Sequence, residues 1–90
     1  MRQTFAIDYD NTYAAAPGVW DQFITAARLA GHDVLICTGR AFAPINLRKD
    51  VEVHCTAGQA KQDYLRSLGI GVSVWIDDDP LSITQNDITF

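Results

Sequence analysis

Residues 4–10 read Thr-Phe-Ala-Ile-Asp-Tyr-Asp: a short apolar run with the character of a buried strand, cut off by two acids. The pattern recurs near the other end. Val72–Ile76 (VSVWI) runs directly into Asp77, Asp78 and Asp79. Two more apolar runs lie between, Asp33–Cys37 (DVLIC) and Val51–Cys55 (VEVHC). Near-continuous apolar strands suit a parallel sheet that is covered on both faces. Amphipathic stretches separate them. Pro17–Ala30 reads as a helix, with Pro at its first position and Gly31 as its stop. Val19, Trp20, Phe23, Ile24 and Ala27 recur there near helical spacing. Gln59–Leu68 reads as a second helix, stopped by Gly69. Phe42–Leu47, broken by Pro44, reads as a short helix or a loop, and Leu81–Phe90 as an edge strand at Asp87–Phe90 or a packed tail.

The order β-α-β-(α)-β-α-β predicts an α/β fold, a three-layer αβα, Rossmann-like parallel sheet in one domain spanning residues 1–90. Its crossovers are expected to be right-handed. Ligands of such sheets bind beyond the carboxyl ends of the strands, which is where the acids stand.

Composition narrows the functional classes. The chain is 48% hydrophobic and 20% charged, with a net charge of −4. It has no cluster of lysines or arginines, so a nucleic-acid backbone is not expected as a tight partner. No run approaches the roughly 18 apolar residues of a membrane span. The opening MRQTFAIDYDN lacks a secretory pattern, because its apolar run ends at Asp8, so the expected location is cytoplasmic. Cys37 and Cys55 lie in strand-like runs and read as buried free thiols. With His32 and His54 they do not make a zinc pattern. So small a core would gain from a homo-oligomer.

Four places carry chemistry: Asp8 and Asp10 after the first strand, Thr38 after the second, Lys61 early in the second helix, and Asp77–Asp79 after the fourth strand. On the expected sheet all converge on one edge. Carboxylates held close together repel, and one takes up a proton unless a cation intervenes. Magnesium resolves that conflict, because it prefers oxygen ligands and is commonly shared with a substrate phosphate. Lys61 supplies a charge for such a phosphate, Thr38 a hydroxyl, and the loop after Asp8 its backbone N–H groups.

FAIDYDNT resembles the DxDxT motif of the haloacid dehalogenase-like (HAD) superfamily. LICTGR is similar to its second motif, Lys61 in GQAKQDYL to its motif-three lysine, and VWIDDDP to its acidic fourth motif. These come in the family's order and cover residues 4–80. The resemblance implies a magnesium-dependent phosphatase that acts on a phosphomonoester, small or macromolecular, through an aspartyl-phosphate. Asp8 is then the nucleophile and Asp10 the general acid and base. Thr38, Gly39 and Lys61 bind phosphate, and the metal is bound at Asp8, Asp10, Asp77 and Asp78. An acid at position 10 favours phosphate chemistry over carbon–halogen cleavage. Asn11 stands where many members carry Gly, and Asn tolerates left-handed backbone better than most residues. No segment is long enough for a cap domain, and residues 11–17 leave room only for a minimal flap.

Blander readings accompany each assignment. Asp8 and Asp10 read otherwise as a solvated loop, Thr38 as a turn residue and Lys61 as a surface helix lysine. Asp79 reads as a turn former before Pro80. Arg40 reads equally as a substrate contact or an exposed ion pair. Trp20, Phe23 and Trp75 read as core. Two rival functions follow: a non-catalytic module binding phosphate, metal or a partner protein, and a response-regulator-like phosphoacceptor. The second needs a carboxylate after the third strand, where this chain has Cys55-Thr56-Ala57.

Overall fold

The computed structural model describes residues 1–86. The edge strand expected at 87–90 lies outside them. Four strands, β1 (Thr4–Ile7), β2 (Asp33–Thr38), β3 (Glu52–Cys55) and β4 (Val74–Ile76), form one sheet in the order β3-β2-β1-β4. Every pairing is parallel. The α-helices among the described residues are α1 (Pro17–Leu29), α2 (Lys61–Ser67) and the single turn α3 (Leu81–Thr84). The chain is thus a small α/β domain with an all-parallel sheet, compatible with a Rossmann-like fold. No helix among the described residues is long and apolar enough to cross a membrane.

Strand residues alternate between two apolar clusters, as a period of two requires. Ile7, Val34 and Ile36 pack with Ile24 and Ala27 of α1. Ala6, Leu35 and Cys37 pack with Leu65 of α2. Phe5, Trp20 and Phe23 join the first cluster in edge-to-face contacts, and Trp75 joins the second, so the aromatic residues read as core do pack on it.

Two features of the topology place the site. The chain steps from β1 to β2 to β3 in one direction, then crosses back to set β4 on the other side of β1. Such a reversal opens a crevice at the strand ends. The register then fixes what meets there. Ile7 pairs with Ile76, and the Asp8 N–H donates to the Ile76 carbonyl at 2.8 Å, which brings the acids after both strands together.

Element boundaries depart from expectation at one informative place. α2 begins at Lys61 rather than at Gln59. Ala57 and Gly58 both take positive φ, at 52° and 86°, in a turn closed by the Gln59 N–H on the Thr56 carbonyl at 3.1 Å. That turn holds Gln59 and Ala60 out of the helix and makes Lys61 its first residue. Phe42–Leu47 contains no helix or strand. Val72 and Ser73 fall outside β4, although the Ser73 N–H still reaches the Thr4 carbonyl at 2.8 Å.

Candidate functional site

Asp8 follows the last residue of a central strand, at the strand ends where the crevice opens. It is only 7% exposed, and Lys61 only 3%. Buried charges of this kind need partners. The Lys61 ammonium donates to Asp8 Oδ1 at 2.9 Å and to Asp77 Oδ2 at 2.5 Å. Placing Lys61 at the start of α2 therefore has a structural consequence: one lysine ties the acids after β1 and β4 together.

The two neighbouring acids of the fourth motif are not equivalent. Both oxygens of Asp77 are engaged: Oδ2 by Lys61 and, at 3.5 Å, by the Ser82 hydroxyl, and Oδ1 by the Asp79 N–H at 2.9 Å. Asp78 has a weaker contact, accepting from the Thr12 hydroxyl at 3.4 Å. That hydroxyl lies 3.5 Å from Asp8 Oδ2. Both distances exceed those of good O–H···O bonds. Asp8 Oδ2 and Asp78 Oδ1 thus retain lone pairs. Carboxylate oxygens of Asp8, Asp77 and Asp78 lie within 4.8 Å of one another. Three carboxylates against one ammonium leave the cluster net negative, and its all-oxygen donor set suits a hard divalent cation.

Electrostatics follow from this crowding. Burial pushes the Asp8 carboxyl up to about 6, with Asp78 and Asp77 adding to the rise and Lys61 opposing it. Burial lowers the Lys61 ammonium, but its bonds to Asp77 and Asp8 outweigh that, and its pKa stands above the usual lysine value. Burial raises the Cys37 thiol to about 12 and raises Cys55 as well, so neither is a thiolate nucleophile near neutrality.

A pH dependence follows. Because its folded-state pKa is raised, Asp8 binds its proton more tightly in the folded chain than in the unfolded one. Its contribution to stability is full below the ordinary carboxylate value and is lost as pH rises through about 6. Asp10, Asp33 and Asp50 are held low by Arg40, Arg2 and Arg48, and they contribute in the opposite sense, losing their share only as pH falls below the usual carboxylate range. Thermal melts in chelator are expected to show higher Tm at pH 5 than at pH 7.5, then a decline under stronger acid. A Tm that rises steadily from pH 5 to 7.5 would contradict the crowded-carboxylate reading.

Asp10 stands at the mouth. Its carboxylate accepts two bonds from Arg40 Nε, at 3.0 and 3.2 Å, and one from Nη2 at 2.8 Å. This guanidinium holds the Asp10 carboxyl below its usual range. Arg40 also lies over the Tyr9 ring, 5.1 Å from its centroid. Asn11 takes φ 61°, so the expectation that Asn would accept the left-handed turn agrees with the backbone.

A cleft of about 380 Å³ joins these groups, lined by Asp8, Asp10, Gly39, Lys61, Asp77 and Asp78 among others. Of the sequence-predicted residues, Thr38 alone does not line it. Thr38 is fully buried, and its hydroxyl accepts from the Arg40 N–H at 3.3 Å, bracing the turn beneath the cleft. Gln59 and Ser82 line the cleft although sequence reasoning passed over them, as does Asp79, which it read as a turn former. Gln59 reads as part of a helix, although Gly58 beside it is a turn residue and takes the left-handed backbone that exposes it. Ser82 reaches the site only because α3 folds back, its hydroxyl donating to the Asp79 carbonyl at 2.7 Å. Comparison with protein-family models, with curated proteins and with solved structures finds no match to this chain, so the site's geometry stands as the ground for a functional reading.

Proposed function

We propose that this chain is a magnesium-dependent phosphatase of HAD-like, capless architecture that acts through an aspartyl-phosphate on Asp8. The observation that carries the reading is Lys61 bonded to both Asp8 and Asp77, with Asp78 alongside, at the topological switch point of a parallel sheet. The two apolar clusters on alternate strand residues support a three-layer arrangement, and the short Tyr9–Ala16 segment supports a flap rather than a cap.

The residues divide the work as follows. Lys61 fixes the Asp8 carboxylate and offers positive charge to the incoming phosphate. Asp8 attacks phosphorus, and the bond to the leaving oxygen breaks. Asp10, released from Arg40 and protonated as substrate binds, gives that proton to the leaving oxygen, then takes one from the water that attacks the aspartyl-phosphate, which releases phosphate and restores Asp8. Gly39 and the loop at Asn11 offer backbone contacts to the phosphoryl oxygens, and Thr38 holds the Gly39–Arg40 turn in place. Asp77 anchors Lys61. Asp8 and Asp78, with the family's contribution from the Asp10 carbonyl, would hold magnesium. When bound, that ion offsets charge on the transferring oxygens.

Release of inorganic phosphate from a panel of phosphomonoesters, with magnesium and with chelator, tests the reading. Magnesium-dependent release supports it. One observation favours a second reading, a phosphate-binding module without turnover: Arg40 occupies the Asp10 carboxylate on two sides and keeps it ionised. Magnesium and phosphate binding with no release from any ester would favour that module.

A further inference from the structure

We infer that the substrate's leaving group is a flat aromatic moiety seated on the loop of residues 40–46; this rests on the phosphatase reading. Beside the cleft runs a second groove of about 610 Å³, lined by Tyr9, Arg40, Phe42, Pro44 and Ile45 among others. Its volume falls within the roughly 300–1,000 Å³ usual for small-molecule sites. Arg40 lines both spaces, so the groove adjoins the phosphate cleft.

Direction follows from the chemistry. The leaving oxygen lies on the side of its proton donor, Asp10, and Asp10 is gripped by Arg40. Whatever the phosphate is attached to therefore leaves the cleft past Arg40 and enters this groove. What it meets there is apolar and unpartnered: Phe42 is 83% exposed and Ile45 96%. A polyol would leave both in water. A flat ring would bury them, and it would find the Arg40 guanidinium already over the Tyr9 ring, 5.1 Å from its centroid, a cation that a second ring could also meet.

Calorimetry with two non-hydrolysable phosphonates in magnesium tests the inference. Benzylphosphonate and ethylphosphonate share the phosphoryl group and differ in the ring. Benzylphosphonate is expected to bind at least about tenfold more tightly, as ring burial against aromatic and cationic partners implies. Phe42→Ala and Ile45→Ala, both at exposed positions that the core does not use, are expected to erase most of that advantage. Equal affinities for the two compounds, with phosphate still released from esters, would overturn the inference and leave the phosphatase reading standing. Absence of both binding and turnover would remove the phosphatase reading, and the inference with it. A dimer in sedimentation that dissociates on Phe42→Ala would also overturn it, since a second copy would then be the occupant of the groove.

Discussion

Asp8→Asn is expected to abolish magnesium-dependent phosphate release, by about 10⁴-fold or more, as removal of a nucleophile does elsewhere, while raising the Tm of the metal-free protein. The two effects have one cause. Asp8 sits nearly sealed from solvent, among two further carboxylates and a single ammonium, and burial has pushed its pKa up. An amide of the same shape still accepts from Lys61 but carries no charge, so the repulsion eases. A gain on the order of 1 kcal/mol is expected, typical of relaxing a functional site. Magnesium should raise the Tm of the wild type and do so far less in the variant. If Asp8 served only to hold the fold together, the substitution would lower Tm. That outcome, measured by thermal melts with and without magnesium, would contradict a site built for function at a cost in stability.

The second large effect belongs to Lys61. Lys61→Met keeps the length of the side chain and removes its charge, which strands the Asp8 and Asp77 carboxylates in a nearly solvent-free position. Breaking a buried pair by removing one partner costs about 3–5 kcal/mol. For a domain of this size that is a large part of the whole stability. Urea denaturation is expected to show the loss, and adding Asp77→Asn is expected to recover part of it, because fewer unpaired charges remain. A Lys61→Met protein as stable as the wild type would mean that the lysine is merely a surface residue.

Much of this arrangement was legible in the sequence, for reasons tied to particular residues. Asp8 and Asp77 stand directly after apolar runs, and a parallel sheet gathers its strand ends at one edge; their direct contact depends further on β4 lying beside β1, an order that the sequence does not announce. Asp78 joins them, its carboxylate oxygen lying within 4.8 Å of those of Asp8 and Asp77. The difference between Asp77 and Asp78 is not legible there. It depends on which oxygens the Asp79 N–H, Ser82 and Lys61 occupy, and those contacts arise from a turn and a short helix with no periodic signature. The place of Thr38 was likewise hidden: its strand position is as expected, but its hydroxyl bonds inward to the Arg40 N–H. Arg40, left open between substrate contact and ion pair, forms the pair with Asp10, and it does so at the junction of cleft and groove. Gln59 reaches the cleft because Ala57 and Gly58 take left-handed backbone, a conformation that an alanine does not announce.

The central claim is that Asp8 receives the phosphoryl group, and an Asp10→Asn variant tests it most directly. An activated aryl ester needs little help from a proton donor, so the first transfer should proceed, while the attack of water on the acyl phosphate should stall without its base. After incubation with 4-nitrophenyl phosphate and magnesium, followed by acid quench and peptide mass mapping, the expected result is one phosphoryl group on Asp8, absent when chelator replaces magnesium. No phosphoryl adduct under any condition, or an adduct on another residue, would contradict it.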